Sequence, residues 1–317
     1  MINKINLTGR CLFDLDDYSP AEIETIFETT KVMKKIIQRD YKKVPTLNGK
    51  TVCTLFFEDS TRTRISFELA AKRLSADVIS FAKKGSSLKK GETLQDTIYT
   101  LDAMGIDLYI IRHESPGAPA LVNRYTGKPV LNAGDGPHAH PTQALLDMFS
   151  IWEKKDSLKG LKIVIVGDIL HSRVVRSNLI GMKKMGAKVI VCGPRTLMPP
   201  KVDDVYGVIP EYDLNKAVQN ADVIMALRMQ LERQEQGLFP SLGEYSKYYG
   251  LNNRVMKYAK NDVLIMHPGP MNRGVEILPE VADSEHSIII AQVTNGVAVR
   301  MALLFLILGG KIGREVK

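Results

Sequence analysis

Along this chain, short unbroken apolar runs alternate with longer stretches in which apolar positions recur every three to four residues. In the first half the runs cover residues 51–57, 77–81, 107–112 and 129–132. In the second half they cover 162–166, 188–192, 222–227, 262–266 and 287–291. Each is rich in Val, Ile and Leu and is bounded by polar, Gly or Pro residues. A strand with one wet face would alternate in polarity; a continuous apolar run marks a strand covered on both faces, as in a parallel sheet. Strand–helix alternation of this kind predicts an α/β protein of two domains, each a mostly parallel sheet flanked by helices. The length of 317 residues fits two such domains of about 150 residues each.

The junction falls near 137–150. Leu145, Met148, Phe149 and Trp152 have helical spacing, and Pro141 suits the first position of that helix, where a missing N–H costs nothing. This helix leads from the first domain into the second. Residues 297–308 form the most apolar run, but Arg300 interrupts it and it is shorter than the ~18–20 residues of a membrane span. It reads as a buried helix. The last helix, expected after Asn295, could return to pack on the first domain.

Composition narrows the class. Hydrophobic residues at 44% and charged residues at 25% are ordinary for a globular protein with two cores. The first twenty residues hold no apolar segment of the signal-peptide kind, so a cytoplasmic protein is expected. Cys11, Cys53 and Cys192 are far apart and form no CxxC pair, which predicts reduced thiols, with no disulfide framework and no metal site. The net charge of +8, from 43 basic and 35 acidic residues, suits nucleic acid, a membrane surface or small anions. Lys31, Lys34, Lys35, Lys42 and Lys43 are scattered beside acidic neighbours, a pattern that disfavours nucleic acid. A solvated basic surface, or a site for anionic substrates, remains.

The strongest local signal is FFEDSTRTRISFE, residues 56–68. A strand ends near Phe57, and a helical pattern begins at Ser60 with Ile65, Leu69 and Leu74 on one face. Ser60 suits the N-cap. A helix start offers unpaired N–H groups and the positive end of the dipole, which together favour a phosphate. Ser60, Thr61 and Thr63 add hydroxyl donors, and Arg62 adds a fork for phosphate oxygens. Any one of these features alone would describe an ordinary capped helix; their combination at one turn points to phosphate binding. There is no GxxxxGK[ST], so this is not a P-loop. Residues 167–173 lack GxGxxG, which disfavours a nicotinamide cofactor.

Ser60-Thr61-Arg62-Thr63-Arg64 resembles the carbamoyl-phosphate signature of the aspartate/ornithine carbamoyltransferase family. The resemblance continues in family order through Lys89–Leu94, Asn132–Gly136, His140–Gln143, Gly167-Asp168 with Ser172-Arg173, and residues 228–233. It ends with residues 267–274 and 292–296, so it covers nearly the whole chain. It implies a carbamoyl-phosphate-binding domain of residues 1–141 plus 294–317 and an aspartate-binding domain of residues 142–293. The implied reaction moves the carbamoyl group of carbamoyl phosphate to the amine of L-aspartate, an early step of pyrimidine (UMP) biosynthesis, with no cofactor.

The resemblance also assigns roles. Ser60, Thr61, Arg62, Thr63 and Ser86 bind the phosphate end. Thr63, Arg112 and His140 donate to the carbonyl oxygen, where donors aimed at the developing oxyanion stabilise the transition state. Gln143 accepts from the carbamoyl NH₂, and carbonyls at Gly269 and Pro270 accept from the substrate amine. Arg173, Arg228 and Gln230, with Lys90, hold aspartate; two guanidinium forks match two carboxylates. Glu58 pairs with arginines on domain closure. Ser86, Ser87 and Lys90 would reach a neighbouring subunit's site, which implies a homotrimer or a dimer of trimers. A regulatory chain or a dihydroorotase remains a possible partner. Taken one at a time, several of these residues have plainer readings. His140 would be a capping or core histidine, Arg112 an ion-pair partner, Gln143 an exposed helix residue, and Arg173 and Arg228 surface arginines. The Lys83–Gly91 stretch would be a solvated loop, and Gly269-Pro270 simply a turn. His267 and Arg273 read as structural. Asp59 departs from the family pattern, and an acid beside a phosphate pocket should cost affinity unless it points away.

Two rivals follow. An ornithine carbamoyltransferase typically has His-Cys-Leu-Pro where this chain has His267-Pro268-Gly269-Pro270. A non-catalytic anion-binding paralogue would be expected to lose one of Arg112, His140 or Lys90, and all three are present.

Overall fold

Two parallel sheets organise this computed structural model, which describes residues 5–82, 93–229 and 241–310. The chain divides into one unit of Met1–Leu145 with Thr294–Lys317 and a second of Leu146–Val293. The first unit opens with α1 (Pro20–Ile37), whose start is fixed by a reciprocal Ser19/Glu22 capping box. Then come β1 (Thr51–Phe56), α2 (Thr61–Arg73), β2 (Asp77–Ala82), α3 (Leu94–Asp102), β3 (Leu108–His113), α4 (Ala118–Thr126) and β4 (Val130–Asp135). The sheet order is β2-β1-β3-β4, all parallel. Residues 52–57 and 130–135 are buried without a break, as strands covered on both faces require. Cys53, Leu55, Ile98, Tyr109, Ile111 and Val122 meet in one core.

The helix α5 (Pro141–Lys155) begins in the first unit and ends in the second, with Pro141 at its first position. The second unit continues with β5 (Lys162–Val166), α6 (Arg173–Lys184), β6 (Lys188–Cys192), α7 (Val202–Tyr206), β7 (Ile209–Glu211), α8 (Leu214–Val218) and β8 (Val223–Ala226). After these come α9 (Leu242–Tyr249), α10 (Asn253–Met256), β9 (Leu264–Met266), α11 (Pro279–Ala282) and α12 (Ile289–Ile307), which begins in the second unit and runs on into the first. The second unit's sheet order is β7-β6-β5-β8-β9, again parallel. Val164, Val166, Ile224, Ile265 and Ile277 are central to its core.

Three sequence expectations change. Residues 287–291 are not a strand: Ser287 makes one isolated bridge to Ile265, and α12 starts at Ile289. A short apolar run has no period that separates strand from helix, and Ile290, 78% exposed, is not covered as an inner strand would be. The strand β7 was not expected; it is short, contains Pro210 and lies at a sheet edge, the position that tolerates proline. Finally, α2 does not bury Ile65 and Leu69, which are exposed; its inward face is Phe67, Ala70, Ala71 and the following Leu74. Both stripes have helical spacing, and the one with two alanines lets the backbone approach the sheet.

Arg300, the lone charge of the apolar α12, is 4% exposed. Its Nη1 donates to Ser66 Oγ (2.8 Å), and its guanidinium lies 4.8 Å from the Phe67 ring centre. Residues 298–304 are buried throughout, and Gly9 N–H donates to Ile307 O (2.9 Å). The second half of α12 therefore packs against α2 and the N-terminal segment of the same unit.

At the other end of the first sheet, Asp107 joins the starts of β1 and β3. It accepts from Lys50 Nζ and from Thr51 N–H, both at 2.8 Å. Burial pushes its carboxyl pKa up, but these hydrogen bonds, with attraction from Lys50 and Lys128, outweigh that and hold it below the usual carboxylate range. A carboxyl depressed in the folded state stabilises above its unfolded pKa, and this contribution is lost as pH falls through the folded value. Asp107→Asn is expected to lower the urea midpoint at neutral pH and to change it less at an acidic pH below the folded value. Equal losses at the two pH values would assign the effect to packing instead.

Candidate active site

A parallel sheet gathers the loops that follow its strands at one edge, where α/β proteins bind ligands. In the first unit, Phe56 of β1 is level with Arg112 of β3, and Phe57 N–H donates to Arg112 O (2.8 Å). Two residues further, Glu58 Oε2 lies 3.1 Å from Arg112 Nε, with both side chains largely buried. Arg112 Nη1 also donates to Ala133 O (3.1 Å). The pairing of β3 with β4 slips beside this residue: Ile111 is level with Asn132, but His113 is level with Asp135. Such irregularities re-aim a side chain next to a site. The guanidinium is thus oriented by the β1 loop on one side and by β4 on the other.

Ser60 occupies the N-cap of α2, but its side chain accepts no hydrogen bond from the first turn, contrary to the capping expectation. Its backbone (φ −157°, ψ 84°) lies outside the extended geometry of the other serine caps, such as Ser19 and Ser241. Thr61 and Arg62 are exposed on the first turn and Thr63 is half-buried. A helix start without a capping side chain is the arrangement that can offer its N–H groups to a phosphate. Asp59 is exposed.

His140 is buried and is presented by a loop built on Asp135, itself 1% exposed. One Asp135 oxygen accepts from Asn132 Nδ2 (2.8 Å) and Ala139 N–H (3.1 Å), and the other from Gly117 N–H (2.9 Å). His138 Nδ1 sits 3.0 Å from the same carboxylate. Asn132 also donates to Phe13 O and accepts from Gly134 N–H, both at 2.8 Å. This hub holds residues 132–139 in place, so that His140 arrives at the start of α5. Gln143 is half-buried one turn in.

In the second unit, β5 and β8 pair up to Val166 and Ala226, and Leu227 N–H donates to Val166 O (2.8 Å). Gly167-Asp168 and Leu227-Arg228 therefore leave the sheet side by side. A Cβ on Gly167 (φ +136°) would lie 2.9 Å from Leu227 Cβ, so the close approach needs glycine. The fully buried Asp168 accepts from His171 N–H (3.1 Å) and faces His171 Nδ1 at 2.9 Å. This closes the loop so that Ser172 caps α6 and Arg173 opens it. Arg173 is 4% exposed and Arg228 is half-buried. Beyond β9 the Gly269-Pro270 peptide is cis, with Gly269 at φ +66°, a conformation side chains resist. Tyr245 is buried close by, and desolvation, with Glu276, Cys192 and Asp168 nearby, pushes its hydroxyl pKa well up, so it stays a neutral hydroxyl.

The first unit thus groups Glu58, Ser60, Thr61, Arg62, Thr63, Arg112, His140 and Gln143 at one sheet edge. The second groups Arg173, Arg228, Gly269 and Pro270 at the corresponding edge of its own sheet. Ser86, Lys90 and Gln230 lie outside the described residues. Sequence reasoning gave no role to Asp135, Asn272 or Glu276. Asp135 had a usable signal, an acid between two glycines just before the histidine. Asn272 N–H donates to Glu276 Oε1 (2.6 Å) and its Nδ2 to Met229 O (3.3 Å), tying the Gly269-Pro270 turn to the segment after Arg228. His267 and Arg273 make the structural contacts expected of them, to Glu276 (3.1 Å) and Asp283 (2.7 Å).

Comparison with known proteins places both units in one family. Residues 10–153 match the family model described as aspartate/ornithine carbamoyltransferase, carbamoyl-P binding domain, and residues 159–307 match the Asp/Orn binding domain of the same enzymes. The chain belongs to the aspartate/ornithine carbamoyltransferase family. Among its relatives, the aspartate carbamoyltransferase catalytic subunit of Moorella thermoacetica is 56% identical over 306 residues, covering 96% of this chain and 99% of the relative. That of Syntrophomonas wolfei is 55% identical over 311 residues, covering 98% and 99%. Among solved structures, the ornithine carbamoyltransferase of Pyrococcus furiosus superposes with TM-score 0.85 at 34% identity, over 97% of this chain and all of that one. The aspartate transcarbamoylase of Trypanosoma cruzi in complex with carbamoyl phosphate and aspartate gives 0.85 at 30% identity, over 95% and 98%.

The Asp135 hub can be tested without substrate. Asp135→Ala removes a charged acceptor from two buried donors, Asn132 Nδ2 and Ala139 N–H, and from the part-buried Gly117 N–H. At about 1.5–3 kcal/mol for a hydrogen bond to a charged group, with partial relaxation, the expected loss of unfolding free energy is about 3 kcal/mol. Urea denaturation of the two proteins measures it, and a loss within error of zero would remove the hub from this account.

Proposed function

We propose that this carbamoyltransferase makes N-carbamoyl-L-aspartate and phosphate from carbamoyl phosphate and L-aspartate, an early reaction of pyrimidine synthesis. The observation that carries the reading is the placement of Arg228 just beyond β8 and of Arg173 at the start of α6, the helix that follows the paired strand β5. Two guanidinium forks at one sheet edge suit a dicarboxylate and repel the ammonium side chain of ornithine. Carbamoyl phosphate binds first, its phosphate on the first turn of α2 and its carbonyl oxygen towards Thr63, Arg112 and His140. The neutral amine of aspartate attacks the carbonyl carbon. The oxyanion that forms is stabilised by donors already aimed at it. The bond from carbon to the phosphate oxygen then breaks, and phosphate leaves with the amine proton. Holding both substrates in register contributes much of the acceleration, so no strong protein base is required.

Lys90, Ser86 and Gln230 complete this reading as phosphate and aspartate contacts, and Glu58 as a partner of arginines when substrates bind. The assembly that fits it is a homotrimer with shared sites in the cytoplasm, in which a monomer is almost inactive.

Side-by-side carbamoylation of aspartate and ornithine tests the reading; turnover of ornithine in preference to aspartate would reverse it. His140→Ala is expected to lower kcat by about 10²–10³. Arg228→Ala is expected to raise the KM for aspartate by at least about tenfold, with that for carbamoyl phosphate little changed. Light scattering that found a fully active monomer would rule out the shared site.

A further inference from the structure

His267 follows β9, is 2% exposed, and takes no part in the chemistry proposed above. Its surroundings nevertheless dictate where its proton sits. Gly269 N–H, which can only donate, lies 2.8 Å from His267 Nδ1, so Nδ1 must present its lone pair. The ring proton is therefore on Nε2, 3.1 Å from Glu276 Oε1. That oxygen also receives Asn272 N–H, and Asn272 reaches Met229 beside Arg228.

A second arm leaves the histidine backbone. His267 N–H donates to Gln292 Oε1 (3.0 Å), which leaves the Gln292 amide nitrogen to donate to Asp147 Oδ1 (2.8 Å). Asp147 Oδ2 accepts from Asn178 Nδ2 (2.9 Å), on α6, the helix that opens with Arg173. Every one of these side chains except Asn272 is almost fully buried. Directional bonds between buried polar groups fix a single arrangement, because each broken bond leaves a group unsatisfied.

We propose that His267 is a positioning residue: a neutral ring with its proton on Nε2, it sets the Gly269-Pro270 turn relative to Arg173 and Arg228, so that the turn's carbonyls meet the amine of bound aspartate. This inference rests on the aspartate reading above. The decisive bond is the one from Gly269 N–H. Glu276 and Gln292 hold the ring and its backbone, and the ring holds the turn.

Two substitutions separate positioning from packing. His267→Asn can place an amide oxygen where Nδ1 accepts, keeping the bond from Gly269 N–H while giving up Glu276. His267→Gln reaches the Glu276 side and presents no acceptor to Gly269. Both remove the ring. The expected result is a kcat for His267→Asn within about threefold of wild type and a kcat for His267→Gln lower by at least about tenfold, with unchanged KM for carbamoyl phosphate and similar thermal midpoints. Equal kcat values, the reverse order, or loss of the fold in both variants would overturn the role. A wild type that fails to carbamoylate aspartate would instead overturn the substrate assignment, which the same assay reads separately.

Discussion

A parallel sheet cannot turn back on itself within two residues; each strand needs a crossover, and every crossover returns the chain to the same end. The loops after β1, β3 and β4 therefore collect at one edge of the first unit, and those after β5, β8 and β9 at one edge of the second. Residues far apart in sequence, such as Thr63 and His140, or Arg173 and Gly269, come to the same edge of a sheet through this constraint. What the side chains add is aim. Asp135 holds the loop before His140, Glu58 and Ala133 orient Arg112, and Asp168 closes the turn before Arg173.

The division of labour between the two units follows from charge. The first unit offers a helix start, hydroxyls, an arginine and a buried histidine, which suit phosphate and carbonyl oxygens. The second offers two arginines for carboxylates and backbone carbonyls for an amine. In the reading proposed above, the fold contributes binding and alignment, and the departing phosphate takes the amine proton. Second-layer acids and amides, Asp135 and Asp168 as well as the chain from Asn178 to Glu276, are the rigid frame that such alignment demands.

Much of this was legible in the residues. Continuous Val/Ile/Leu runs marked eight of the nine described strands, because strands buried on both faces tolerate little else. The motif 60–64 stood out because strand end, hydroxyls and arginine coincide. Less legible was anything that depends on partners distant in sequence. The position of Ser60 alone suggests a cap, whereas capping depends on backbone angles that the loop before it sets. The inward stripe of α2 could not be chosen over Ile65 and Leu69 without knowing how closely the helix approaches the sheet. The run at 287–291 is apolar enough for either element, and only its covalent continuation into residues 292–307 makes it helix. Glu276 and Asn272 had no visible purpose until the fold put them beside His267 and Met229.

The pairing of Arg300 with Ser66, and of Gly9 with Ile307, joins α12 to α2 and to the segment before α1. On a ribosome the first turn of α2 emerges long before Arg300, which lies 234 positions after Ser66, so the helix gains its buried arginine late. The whole second unit is made in between. A nascent chain thus carries α2 without its Arg300 partner until the second unit has been synthesised, so completing the first unit's sheet does not by itself complete the packing under that helix.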